Sequence, residues 1–209
     1  MYRTLDEADV IMVSTVIWGL TDVLVPGLRA GDSPQAGLQQ AAGDLILERL
    51  VFEDLRGLYL GEMSEQDFCH RMLDRAGWPI DIEHLRRAIR RKLAQTVPGT
   101  ADVLQSLSGQ YRNVLLADHA REWIDDIRAV HGELMEAFDR TFFSFDLKHT
   151  KAEPAALRMM LGLLGNEPAE CLLIDADPAT VSAAAEIGIE AIAFRDACQL
   201  AADLAEREI

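Results

Sequence analysis

From Pro98 onward, short apolar runs alternate with amphipathic helical stretches, and this rhythm constrains the fold more than any other feature. Helix is predicted over Thr100–Ser108, strand over Asn113–Ala117, helix over Glu122–Ala137 and strand over Thr141–Phe145. A helix over Pro154–Leu164, a strand over Cys171–Asp175, a helix over Ala179–Ile187 and a strand over Ala191–Phe194 follow. Such alternation builds βαβ units with right-handed crossovers on a parallel sheet. Val10–Trp18 (VIMVSTVIW) adds one more strand, apolar and β-branched as a strand buried on both faces is.

Between that first strand and Pro98 the pattern differs. A stretch punctuated by Gly, Pro and Ser runs from Pro26 to Gly43, and Asp44–Gln95 is helical and highly charged. Gly57, Gly61 and the Gly77/Pro79 pair are expected to break it into short helices. Ser64 followed by Asp67 reads as a helix N-cap, because the hydroxyl can accept an orphan N–H. The expected fold class is α/β: a Rossmann-like three-layer αβα parallel sheet with an inserted all-helical cap. Residues 1–25 and 98–209 would form the core and 26–97 the cap. A chain of 209 residues can bury such a core without disulfides or a structural metal.

Charge narrows the function classes. Twenty Lys and Arg against 35 Asp and Glu leave a net charge of −15, which argues against nucleic acid and anionic membrane surfaces as partners. No apolar run has the length of a membrane span, and the acidic N-terminal residues carry no signal-peptide apolar region, so the expected compartment is the cytoplasm. Cys69, Cys171 and Cys198 lack zinc-site spacing and are expected to be free thiols.

In parallel α/β sheets ligands sit at the C-terminal strand ends. Those ends read Gly19-Leu20-Thr21-Asp22-Val23-Leu24, Ala117-Asp118-His119, Ser144 through Lys151, and Asp175-Ala176-Asp177. With them, the chain resembles the haloacid dehalogenase-like (HAD) hydrolases, in the subgroup with a helical cap between the first and second motifs. VIWGLTDVLVPG is similar to their first motif, a buried strand ending in Asp-x-Asp-Gly-Val-Leu. Leu58 to Ser64 resembles a segment of their helical cap. Val114 to Asp118 resembles the second motif, a strand ending in Ser/Thr-Asn. Lys151-Ala152-Glu153-Pro154 resembles the third, Lys-Pro-x-Pro. Leu172 to Asp177, followed by Ala184 to Ile189, resembles the fourth, a strand ending in Asp-Asp and then a helix closing on Ala-x-x-x-Gly.

The resemblance implies a specific chemistry. The first Asp of motif one attacks phosphorus, or carbon in the dehalogenases, and forms a covalent intermediate. The second Asp protonates the leaving group and activates water. The Ser/Thr of motif two and the Lys of motif three hold the transferring group's charge. In the phosphatases the nucleophile and motif-four carboxylates hold Mg²⁺. Carried over one position at a time, the nucleophile position is Gly19, the acid/base position Thr21 and the hydroxyl position Ala117. Lys151 and Asp175 are retained, and the second motif-four Asp is Ala176. Asp118 and Asp177 each stand one position beyond a lost group.

Two function classes stay open at this point. One is a HAD-like protein that has lost the hydrolase chemistry and serves as a non-catalytic binding or regulatory protein. The other is an active phosphatase on a small phosphorylated metabolite, using Asp22 or Thr21 as an atypical nucleophile. Asp22 otherwise reads as a solvated loop residue or a helix N-cap. Lys151 and Asp175 are expected to approach each other as a structural ion pair. The cofactor expectation is none, or weak Mg²⁺ on Asp175 with Asp177 or Asp22 as partners. His119, at a strand end, could act in acid/base chemistry, but it and His149 read more simply as solvated or hydrogen-bonded surface residues. Arg86-Arg87 and Arg90-Arg91-Lys92 read as a solvated helix face rather than a substrate clamp. A small anionic molecule or a protein is the expected partner class.

Overall fold

The computed structural model describes residues 12–27 and 54–209. Five parallel strands form one sheet in the order β3-β2-β1-β4-β5. They are β1 (Thr15–Gly19), β2 (Arg112–Ala117), β3 (Arg140–Phe143), β4 (Cys171–Asp175) and β5 (Glu190–Ala193). β1 is central, with Gly19 level with Leu116 of β2 and Trp18 level with Ile174 of β4. The order steps away from β1 on both sides, which opens the ligand crevice at its C-terminal end.

Strand periodicity sends alternate side chains to opposite faces. Val16, Trp18, Leu115, Leu172 and Ile174 face one apolar cluster, and Ile17, Val114, Leu116 and Leu173 face another. Both faces are buried, which is why β1, β2 and β4 are nearly all apolar. The second face is covered by α8 (Pro154–Leu164) and α9 (Pro178–Glu186). The first face is covered by α4 (Thr100–Leu107), α5 (Arg121–Val130) and α10 (Ala197–Glu206). Short helices α6 (Gly132–Glu136) and α7 (Ser144–Leu147) flank β3.

Between β1 and β2 the described chain is helical at residues 54–59 (α1), in α2 (Glu65–Ala76) and in α3 (Ile82–Leu93). Ser64 caps α2, its Oγ accepting from the Asp67 amide at 3.1 Å, as its spacing predicts. Gly61 and Gly77 end helical stretches at φ 69° and 61°, a left-handed turn that glycine adopts without a Cβ clash. Leu58, Phe68, Leu85, Ile89 and Leu93 from these helices belong to the same apolar cluster as Trp18 and Trp123.

Several sequence expectations shift. The first strand begins at Thr15 rather than Val10: Met12 is exposed, and Val10 and Ile11 lie outside the described residues, as do most of Pro26–Gly43. Gly57 sits inside α1 instead of breaking it. The single helix expected over Glu122–Ala137 divides at His131, before Gly132. The strand expected to reach Phe145 stops at Phe143, and Ser144 opens α7. Helix α10 lies beyond the last expected element.

Candidate functional site

Four strand ends and α1 meet at the C-terminal edge of the sheet. At its centre the buried Lys151 ammonium donates to both oxygens of Asp175, at 2.7 Å each. The Asp177 amide donates to the same carboxylate at 2.8 Å. Burial pushes the Asp175 carboxyl above its ordinary range, against the pull of the Lys151 ammonium and the Asp177 amide. The expected pair is therefore present, as a bidentate and desolvated contact.

Gly19 explains how the pair fits. A Cβ at this position would overlap Asp175 Oδ2 and lie 2.9 Å from Asp175 Cγ. The carboxylate thus occupies the space that any side chain at residue 19 needs.

The other positions singled out by the resemblance have local partners. The Thr21 hydroxyl pairs with His119 Nε2 at 3.1 Å. His119 is buried, not solvated; its Nδ1 has no partner among the described residues. Burial, with the Lys151 charge, pushes this imidazole down to about 3, so it is neutral near pH 7. Asp22 stands in a tight turn at φ 59°, and its Oδ1 accepts from the Gly27 amide at 2.9 Å. It caps a loop and begins no helix. Asp118 Oδ1 accepts from the Lys151 amide at 2.9 Å, and burial pushes its carboxyl up to about 6. Asp177 caps α9, accepting from the Ala179 amide and the Thr180 hydroxyl. Ala117 and Ala176 bring no polar group.

Anion donors are also consumed. The Asp22 amide donates to Val25 O, and the amides of Val23, Leu24 and Val25 turn back on Leu20 O. The divalent cation that the fold implies needs several hard oxygen donors around one point. Asp175 is bound by an ammonium, Asp177 and Asp22 each cap backbone amides, and Gly19 and Ala176 supply no side-chain oxygen. Among the described residues no three His, Cys, Asp or Glu side chains gather as a metal site. The residues present do not fit Mg²⁺.

Structure adds residues that the sequence did not single out. Tyr59 of α1 packs its ring against His119 and Trp123, with centroids 5.9 and 6.3 Å away, and Ser144 Oγ donates to its carbonyl at 2.7 Å. Burial and the nearby Asp118 and Asp22 charges push its phenol up. Buried Glu65, the first residue of α2, accepts from Arg86, Arg90 and Trp123 Nε1. Arg86 and Arg90 fork onto one carboxylate that ties α2, α3 and α5, while Arg87 and Arg91 are exposed, so the expected solvated face holds for part of the basic cluster. The i, i+4 spacing of Arg86 and Arg90 opposite a helix-opening Glu was the readable signal. His149 Nδ1 pairs with Glu153 Oε2 at 2.8 Å beside Arg56.

Comparison with known structures decides the fold. A predicted HAD-like family hydrolase from Porphyromonas gingivalis superposes with a TM-score of 0.73 at 21% identity, over 94% of this chain and 98% of that one. The fold is that of the HAD-like hydrolases. A HAD-family enzyme from Bacteroides thetaiotaomicron in complex with magnesium and phosphate gives a TM-score of 0.70 at 19% identity, over 90% and 98% of the chains. L-2-haloacid dehalogenase from Xanthobacter autotrophicus gives 0.66 at 17% identity, over 93% and 83%. Among curated proteins, the chloroplast flavin mononucleotide hydrolase 1 of Arabidopsis thaliana is 28% identical over 130 residues. That match spans 62% of this chain and about half, 52%, of the relative. No protein-family model matches the chain. No helix among the described residues is long and apolar enough to cross a membrane.

Proposed function

We propose that this HAD-like fold has lost the Asp-nucleophile phosphatase and dehalogenase chemistry and acts as a non-catalytic binding or regulatory protein, with a small anionic molecule or a protein as its partner. The carrying observation is the Gly19–Asp175 contact, which leaves no room for a nucleophile's side chain where the family's mechanism starts. Catalytic groups act only when placed to within a fraction of an ångström. A cytoplasmic setting, and a division into a core of residues 1–25 and 98–209 with a helical cap over 26–97, belong to the same reading.

The competing reading is an active hydrolase on a small phosphorylated metabolite, and the flavin mononucleotide hydrolase is the observation in its favour. Its two substitute nucleophiles fare differently. Asp22 is turned toward the Gly27 amide. Thr21 does have an imidazole partner, but one with a pKa near 3 is a weak base for removing a hydroxyl proton.

The deciding experiment is a turnover assay with the full chain and Mg²⁺. Substrates are an aryl phosphate, flavin mononucleotide and a panel of phosphometabolites, beside D22A and T21A variants. Release of phosphate at the buffer rate supports the proposal. Turnover abolished by either substitution overturns it.

A further inference from the structure

We infer that Lys151 is the resident cation of this site: its ammonium group holds both oxygens of Asp175, side-chain-free Gly19 leaves the room in which the pair sits, and the strand ends are thereby closed to a divalent cation by one carried on the chain. The inference rests on the reading of a site without the family's hydrolase chemistry. It adds what replaces the magnesium that accompanies a neighbouring fold.

Three features carry it. Both Asp175 oxygens lie 2.7 Å from one nitrogen, and the flanking Asp177 amide takes a second lone pair of Oδ1, so three of the carboxylate's about four acceptor positions are filled, two of them by a cation. The Lys151 backbone is itself anchored, its amide donating to Asp118, so the ammonium is delivered from a braced position. Gly19 completes the arrangement, because any side chain there would displace the carboxylate. A divalent ion approaching Asp175 would meet a positive charge already in contact, in a site from which water is excluded and repulsion is poorly screened.

The test uses the purified full chain and Mn²⁺ as the spectroscopic stand-in for Mg²⁺. Electron paramagnetic resonance of free Mn²⁺ is titrated against wild type and D175N. The expected result is superimposable curves, since surface carboxylates of an acidic chain bind Mn²⁺ equally in both. Thermal unfolding of wild type is expected to be unmoved by EDTA or millimolar MgCl₂. A saturable Mn²⁺ site present in wild type and absent in D175N overturns the inference.

A second arm asks whether the ammonium acts as Asp175's counter-ion. K151M and D175N each lower the melting temperature, and the K151M/D175N double variant recovers most of the loss. Additive losses overturn the counter-ion role. Should K151M not accumulate as folded protein, folding of the double variant alone supports the coupling, and its failure to fold overturns it. The outcomes separate from those of the turnover assay: phosphate release without a Mn²⁺ site removes only the non-catalytic reading, and a Mn²⁺ site without phosphate release removes only this one.

Discussion

The Cα of Gly19 faces the Asp175 carboxylate so closely that a methyl group on it would overlap Oδ2. Asp175 cannot retreat without breaking two bonds from Lys151 and one from the Asp177 amide. Gly19→Ala is therefore expected to destabilise the protein by about 1–3 kcal/mol, the usual range for overpacking a close-packed interior. Urea unfolding followed by tryptophan fluorescence measures this. Gly19→Asp restores the family's nucleophile in sequence only: it adds a second carboxylate against Asp175, lowers stability further and leaves phosphate release at the buffer rate. A G19A protein as stable as wild type would show that the contact relaxes at no cost.

The two neighbours Asp118 and His119 make stability depend on pH in opposite directions. Asp118 has its carboxyl raised to about 6 by burial, so its contribution is full below the ordinary carboxylate pKa, about 3.9, and is lost as pH rises through about 6. His119 is lowered to about 3, so its contribution is full above the ordinary imidazole pKa, about 6.5, and is lost as pH falls through about 3. D118N, which can still accept from the Lys151 amide, is expected to gain stability relative to wild type above pH 6, with the gain vanishing below pH 4. H119Q is expected to flatten the fall in stability between pH 6 and pH 4. Urea midpoints at half-unit pH intervals give both profiles, and parallel profiles for wild type and variants would contradict the assignment.

Part of this site is legible in the sequence. The strand ends follow from local pattern, because βαβ periodicity places particular residues there, whereas the positions without carboxylates, Gly19, Thr21 and Ala176, and the meeting of Lys151 with Asp175 were what the family resemblance implied. What was not readable depends on contacts between elements far apart in the chain. His119 looks like a loop histidine until Tyr59 and Trp123, 60 residues before it and four after, enclose it. Arg86 and Arg90 look solvated until Glu65 turns toward them from another helix. Helix α10 escapes periodicity because its alanine-rich run presents only Leu200 and Leu204 to the core. The break at His131 comes from a residue outside the helical region, at φ −119° and ψ 43°, followed by a glycine of low helix propensity.

Glu65 is expected to be the most costly polar residue to remove from the helices before β2. Trp123 is fully buried and its Nε1–H donates to Glu65 Oε1 at 3.0 Å. Glu65→Ala leaves that donor without an acceptor and releases Arg86 and Arg90, for a loss of about 2–3 kcal/mol. Burial pushes the Glu65 carboxyl up, but hydrogen bonds from Arg90, Arg86 and Trp123 together hold it below its ordinary range. Its contribution is therefore complete above the ordinary glutamate pKa of about 4.3 and is lost as pH falls through the lowered folded value. Glu65→Gln, which still accepts from Trp123, is expected to lose less than Glu65→Ala and to lack that acid-dependent loss. Trp123 emission reports local detachment directly: a red shift in E65A at denaturant concentrations where wild type stays folded is the expected signature.

Asp22 separates a structural from a catalytic role by chemistry that two substitutions resolve. It occupies the left-handed region at φ 59°, which asparagine tolerates and alanine resists, and its Oδ1 receives the Gly27 amide. Asp22→Asn keeps both the conformation and an acceptor oxygen, so its melting temperature should stay near that of wild type. Asp22→Ala loses the acceptor and gains backbone strain, for an expected cost of about 1–2 kcal/mol. A nucleophilic carboxylate would give a different pattern: Asn would abolish turnover as fully as Ala, whatever their stabilities. Equal phosphate release by wild type, D22N and D22A, with only D22A destabilised, is the outcome expected of a loop brace.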